Sequence, residues 1–243
     1  MSAEVMNVLD DFFKARRDVP CRLAFSGGTD STMLALAAGT SCRLFVLATD
    51  RGGRDLAGCR RTAELMGLAC DAVVVTLPDI IVLIESHREI LSGLQDYTQR
   101  ILAVCELFLC REAFRTGSKL VAGHGPEAIF GGFRRRAAPS LDELDEISRE
   151  SNVNAARLRI VARESGCEIL LPFFESDVWN SLLDARRKGL DRVGMVRGRL
   201  PDYQPLQQKA ALQNGSGIHY LFAREARRRK FSYVRDFMEE LIR

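Results

Sequence analysis

The segment Cys21–Phe25, followed at once by Ser26-Gly27-Gly28-Thr29-Asp30-Ser31, constrains this chain more than any other stretch. Cys21–Phe25 is a short, mostly apolar run and reads as a buried strand, and Ser31–Ala38, rich in Leu and Ala, reads as a helix. Two glycines between them allow a tight turn and close approach of a ligand. The loop amides and the helix N-terminus then point the same way, which makes an anion site suited to phosphate. Ser26 and Ser31 add hydroxyl donors. Asp30 is out of place in a pure anion site unless it holds a cation such as Mg²⁺ that bridges phosphates. The Gly-Lys-Ser/Thr ending of a Walker A loop is missing. A turn with a helix N-cap would account for an Asp or a Ser alone; all six residues directly after an apolar strand read as a binding loop.

The pattern continues along the chain. Residues 2–16 read as an amphipathic helix with Val5, Leu9, Phe12 and Phe13 on one face. Strands are expected at Cys42–Ala48, Ala72–Leu77 and Lys119–Ala122, with helices at Arg54–Gly67 and Tyr97–Arg115. Strands alternating with helices predict an α/β fold, a parallel sheet flanked by helices, over about residues 17–133. From about 134 to 243 the chain reads as a mainly helical half that closes the cleft. Its helices are expected near 141–165, 175–188 and 216–241, and a short Ile169–Leu171 run precedes Pro172. The whole of 1–243 is expected to form one domain. Ligands in such sheets bind beyond the carboxyl ends of the strands, so chemistry is expected in the loops after Phe25, Leu47 and Ala122.

Composition excludes several classes. Hydrophobic residues make up 47% and charged residues 28% of 243, so the chain is neither disordered nor fibrous. Its apolar runs, such as Ile101–Val104, fall far short of the ~20 residues a membrane span needs. Met1–Lys14 carries acids and lacks the unbroken apolar core of a signal peptide. A net charge of +3 argues for neither nucleic acid nor membrane. The seven cysteines show no CxxC pair and no zinc spacing, so they read as small core residues and favour a reducing cytoplasm.

The run SGGTDS resembles the SGGxDS pyrophosphate-binding loop of the N-type ATP pyrophosphatases. That group includes asparagine, GMP and NAD synthetases and several tRNA-modifying enzymes. A second segment, Ala122-Gly123-His124-Gly125-Pro126-Glu127-Ala128-Ile129-Phe130-Gly131-Gly132-Phe133, is similar to the SGEGxDExFGGY stretch of the asparagine synthetase and β-lactam synthetase branch. Gly123, Gly125, Ile129, Phe130, Gly131 and Gly132 stand where that pattern has them, and Phe133 replaces a tyrosine. The branch's catalytic glutamate falls on His124 and its metal-binding aspartate on Glu127. A histidine can serve as a base near neutral pH. A loop histidine bonded only to backbone is the alternative. Asn154–Phe174 resembles the helix that runs into G-x-E-x-R-x-PF-L-D: Gly166, Glu168, Pro172 and Phe173 match, Leu170 replaces the arginine, and Glu175 stands near the aspartate. Gln207–Ile218 resembles RxKxxFxxG, which puts Lys209 on a lysine that contacts phosphate and stabilises developing charge.

The resemblance implies an adenine nucleotide alpha hydrolase-like fold with ATP and Mg²⁺ as cofactors. ATP would be held by Ser26, Gly27, Gly28, Asp30 and Ser31, with its adenine near Leu47 and Gly123. Asp30 and Glu127 would hold the metal, and Lys209 and His124 would be catalytic. The implied reaction activates a carboxylate as its adenylate, releases pyrophosphate, and transfers the acyl group to ammonia or another amine. The branch's glutaminase domain carries a cysteine at its second position, and here that position is Ser2 with no such domain ahead of the binding loop. Ammonia is therefore expected to come free or from a separate amidotransferase, unless the amine is the second substrate itself. Two alternatives stay open: a tRNA-modifying pyrophosphatase, which the basic runs Arg134–Arg136 and Arg227–Lys230 favour, and a non-catalytic ATP-binding subunit, which His124 favours. The basic runs also fit a solvated helix face. Nucleic acid and a second copy of the chain are left open as partners.

Overall fold

The computed structural model describes residues 2–50, 53, 56–130, 141–205 and 211–243. The strands are β1 (Cys21–Ala24), β2 (Cys42–Thr49), β3 (Cys70–Val75), β4 (Lys119–Val121) and β5 (Ile169–Leu170). They form one parallel sheet in the order β3-β2-β1-β4-β5. The helices in chain order are α1 (Ser2–Lys14), α2 (Thr29–Ala38), α3 (Leu56–Leu65), α4 (Leu77–Ser86), α5 (Arg88–Ser92), α6 (Tyr97–Arg115), α7 (Pro126–Phe130), α8 (Leu141–Glu164), α9 (Ser176–Arg187), α10 (Arg192–Arg197), α11 (Leu212–Gly215), α12 (Ile218–Arg228) and α13 (Val234–Ile242).

Successive strand residues face opposite sides of a sheet, and here both sides are covered. Leu23, Leu44, Val46 and Val121 pack with Met33 and Leu34 of α2 and with Leu9 of α1. Phe45, Leu47 and Leu120 pack with Ile101 and Val104 of α6, Leu158 of α8 and Phe222 of α12. Two buried faces explain why β2 is almost continuously apolar rather than alternating. Each such side chain, fully buried, contributes about 1.5–3 kcal/mol.

β1 lies between β2 and β4, so the chain leaves it toward one edge and later returns to its other side. This reversal opens a crevice at the carboxyl ends of β1 and β4. The expected α/β architecture, its parallel sheet and the helical run after residue 141 are all present.

Two expectations are corrected. The third strand is Cys70–Val75, and the next residues begin a helix that the periodicity does not assign. Thr76 caps it: its side chain accepts from the Asp79 backbone N–H, the Asp79 side chain returns the bond, and Pro78 stands in the first turn. The expected 216–241 helix is two helices, α12 and α13, separated at Lys230, whose φ of 64° cannot continue a right-handed helix. The C-terminal half is mainly helical, and its short Ile169–Leu171 run supplies β5, which pairs with β4 and extends the same sheet.

Two of the seven cysteines are not isolated core thiols. Cys21 and Cys42 are register partners on neighbouring strands, and a disulfide joins them across a Cα separation of 5.0 Å. They sit where β1 and β2 begin, at the end of the sheet opposite the crevice. Among the described residues, no helix is long and apolar enough to cross a membrane.

Candidate active site

The 26–31 loop is cinched by its own serines. Ser31 Oγ accepts from Ser26 N–H at 3.3 Å and donates to Gly28 O at 3.0 Å. Ser26 Oγ accepts from Gly28 N–H at 3.4 Å and lies 3.1 Å from Ser31 Oγ. Gly27 has φ 65°, a left-handed conformation that costs a side-chain-bearing residue about 1–3 kcal/mol. With the turn fixed, α2 starts at Thr29 with its first amides directed out of the carboxyl end of β1.

The 122–127 segment lies against this loop. A Cβ built on Gly123 would stand 3.5 Å from Ser31 N and 3.6 Å from Leu34 Cδ1, so the two loops meet backbone to backbone. Gly125 has φ 125° and is wedged against Phe173 and Phe174. Its N–H donates to Glu127 Oε2 at 3.1 Å, which holds that carboxylate at the head of α7.

Both loops open into one cavity of about 270 Å³. Of the expected ATP-binding residues, Ser26, Asp30, Ser31, Leu47 and Gly123 line it, as do His124 and Glu127. Gly27 and Gly28 shape the loop beside it. Lys209, the Arg134–Arg136 run and Gly131-Gly132-Phe133 lie outside the described residues. Ala211, two positions after Lys209, lines the cavity.

The structure adds residues that the sequence motifs do not name. Arg192, at the start of α10, donates to both oxygens of Asp30, at 3.0 and 2.9 Å, with its guanidinium 5.8 Å from the Phe130 ring centre. Thr29 Oγ1 lies 3.2 Å from the hydroxyl of Tyr203, a fully buried ring whose phenol burial pushes up from its ordinary range. Gly215 and Ser216 also line the cavity, and Ser216 O accepts from Thr49 N–H at 3.0 Å, which pins this turn to the end of β2.

Behind His124 lies a buried ion pair. Arg157 of α8 donates to Glu106 of α6 at 2.8 Å from Nε and 2.6 Å from Nη2, and the two side chains are 3% and 1% exposed. Arg157 also donates to Asn154 Oδ1 at 2.7 Å and to Gln99. Glu106 Oε1 is 3.8 Å from His124 Nε2. Glu106 had a legible signal: it is one carboxylate inside the apolar run 101–110 of a helix, and such a residue is rarely buried without a charged partner. Arg192 had none, because its partner is 162 positions away.

The third resembling segment is mainly packing. Phe173 is fully buried and Gly166 takes φ 64° at the end of α8. The second basic run is held by its own helix, with Arg228 and Arg229 both paired to Glu225.

Mg²⁺ takes one or two carboxylates plus phosphate oxygens rather than a full protein cage. Asp30 and Glu127 line one cavity beside the serine-glycine loop and match that donor set. No cluster of three or more metal-type side chains occurs among the described residues.

Solved structures resemble this chain only distantly. It is similar to the NMN synthetase of Francisella tularensis, at 14% identity and TM-score 0.36, over 96% of this chain and 95% of that one. It is similar to an NH3-dependent NAD synthetase from Campylobacter jejuni at 12% identity and TM-score 0.37, over 84% and 99%. An NAD+ synthetase from Burkholderia pseudomallei matches at 15% identity and TM-score 0.34, over 77% and 88%. No curated protein matches the chain in sequence. The asparagine synthase family matches it over residues 4–235, a span that contains both cavity loops and the stretch around Lys209. The chain therefore belongs to the asparagine synthase family, and its general class is that of an ATP-using, amide-forming synthetase.

Proposed function

We propose that the chain is a stand-alone synthetase domain that joins a small carboxylate to ammonia or another amine through an acyl-adenylate, releasing pyrophosphate and AMP. One observation carries this reading. The cinched 26–31 loop and the 122–127 segment meet at Gly123 and Ser31 and share a single cavity. Phosphate-binding groups and the candidate base therefore face the same volume, which is what a reaction at an α-phosphorus and then at an acyl carbon requires.

Each residue has a part in this proposal. The amides and hydroxyls of Ser26, Gly27, Gly28 and Ser31 bind the departing pyrophosphate. The backbone beside Leu47 and Gly123 takes the adenine. Asp30 and Glu127 are the residues that would hold Mg²⁺, which when bound supplies positive charge to the phosphate oxygens. Lys209 stabilises charge that develops on phosphate or on the tetrahedral oxygen. His124 takes the proton from the attacking amine. The proposed setting is the cytoplasm, and no step uses the Cys21–Cys42 disulfide.

A panel of amino acids, other carboxylates and amines tests this, scored for ATP-dependent pyrophosphate. Pyrophosphate and AMP in equal amounts with the amide support the proposal. ATP binding without pyrophosphate across the panel overturns it in favour of a non-catalytic nucleotide-binding subunit. The tRNA-modifying reading is the weaker one: Arg228 and Arg229 of the basic run are already paired to Glu225 on their own helix. Salt-sensitive RNA binding would restore it.

A further inference from the structure

The family pattern puts a carboxylate at position 124, and this chain has a histidine there. A carboxylate stands behind it nonetheless, carried by a different helix. Glu106 projects from α6 into the same cavity and places Oε1 3.8 Å from His124 Nε2.

We propose that Glu106 is the positioning residue for His124, so that an imidazole and a carboxylate from separate elements together do what the single family residue does. The inference rests on the amide-forming reading above and deepens it. In the amide-forming step the amine nitrogen forms a bond to the acyl carbon and the bond from that carbon to the AMP oxygen breaks. One proton leaves the nitrogen for the imidazole ring. The ring becomes positive at that moment, and the Glu106 carboxylate already faces it at 3.8 Å.

The surroundings fit this task. Opposite charges at this separation attract far more strongly in a dehydrated setting than in water. A buried carboxylate is costly unless it is paired and hydrogen-bonded. Arg157 meets that need with bonds of 2.8 and 2.6 Å, which fix Glu106 as one half of an ion pair. The same arginine balances the carboxylate in the resting site. Arg157 is itself fixed by Asn154 and Gln99. The other charged side chains lining the cavity are Asp30, Glu127 and Arg192; Asp30 and Arg192 are paired with each other.

A purely structural ion pair between α6 and α8 would hold the helices together but would not set the state of His124, and two readouts separate the cases. The chain has three histidines, His87, His124 and His219, so the ring signals of the ¹⁵N-labelled full chain are assignable with His87→Gln and His219→Gln. Glu106→Gln is expected to shift the His124 ring nitrogens and change their tautomer balance, leaving His87 and His219 unmoved. Unchanged His124 signals overturn the proposal. This arm needs no substrate, so it stands even if the carboxylate panel fails and the amide-forming reading falls.

The second arm uses hydroxylamine as the amine, with whichever carboxylate releases pyrophosphate. Glu106→Gln is expected to lower hydroxamate formation about 100-fold while pyrophosphate release falls far less, and Glu106→Asp is expected to recover part of the loss. An equal fall in both half-reactions, or no recovery by Asp, overturns the proposal. If Glu106→Gln leaves Arg157 too poorly balanced to fold, the double variant Glu106→Gln with Arg157→Gln removes both charges and carries both readouts.

Discussion

Arg192 grips both carboxylate oxygens of Asp30, at 3.0 and 2.9 Å, across 162 positions of sequence. Asp30 sits in the loop proposed to bind phosphate, where a lone carboxylate would repel it. A single nitrogen, Arg192 Nη1, reaches both oxygens and balances that charge. Arg192→Met is expected to raise the ATP concentration needed for half-maximal pyrophosphate release by roughly tenfold, about 1.4 kcal/mol. Arg192→Lys, which keeps the positive charge, should fall between. An unchanged ATP requirement in the Met variant would remove Arg192 from the nucleotide site.

Asp30→Ala tests the metal assignment. Loss of a preorganised charge at such a site costs on the order of 100-fold or more in rate. Pyrophosphate release is expected to vanish at every Mg²⁺ concentration, and a full rate in the variant would defeat the role given to Asp30.

Lys209→Ala is expected to lower turnover by roughly 100-fold while the half-maximal ATP concentration moves by less than about threefold, since the charge it meets appears only during reaction. Steady-state kinetics with ATP as the varied substrate decide this; equal turnover would take Lys209 out of the mechanism.

Gly125→Ala probes the backbone of the second loop. Gly125 combines φ 125° with a built Cβ only 3.1 Å from Phe173 Cβ, so alanine is both strained and crowded. Roughly 1–3 kcal/mol of stability should be lost. For a chain of this size that lowers Tm by roughly 2–12 °C, measurable by calorimetry.

The acid limb of stability has a named contributor. Hydrogen bonds from Arg228 and then Arg229 hold the Glu225 carboxyl at about 2, below its ordinary 4.5. Because the folded value is the lower one, this stabilisation is complete above about pH 4.5 and disappears as pH falls toward 2. Glu225→Gln should therefore flatten the pH dependence of denaturant unfolding in that window, and a profile parallel to the unsubstituted chain would refute the assignment.

Much of this protein is written locally. Cys21–Phe25 followed by SGGTDS is short-range chemistry: apolar residues make a strand, glycine makes the turn, and a helix begins where hydroxyls can close the loop. The same holds for Tyr97–Arg115, whose bounds agree with the periodicity residue for residue. The capped helix at Leu77–Ser86 is equally local, since Thr76 and Asp79 mark its start, yet the strand-like run before it draws the expected boundary too far. The split at Lys230 has no such mark, because a lysine takes the left-handed position usual for glycine, where Lys230 N–H bonds to Arg227 O and Phe231 N–H to Ala226 O to close α12.

The tertiary structure alone decided which charges meet. Asp30 and Arg192, Glu106 and His124, and Cys21 and Cys42 become neighbours only when the sheet order brings distant segments together. Residue type and spacing specify local backbone geometry, because those forces act within a few residues. A salt bridge or a shared cavity depends on which strand lies beside which, and that follows from the packing of both apolar faces of the sheet at once.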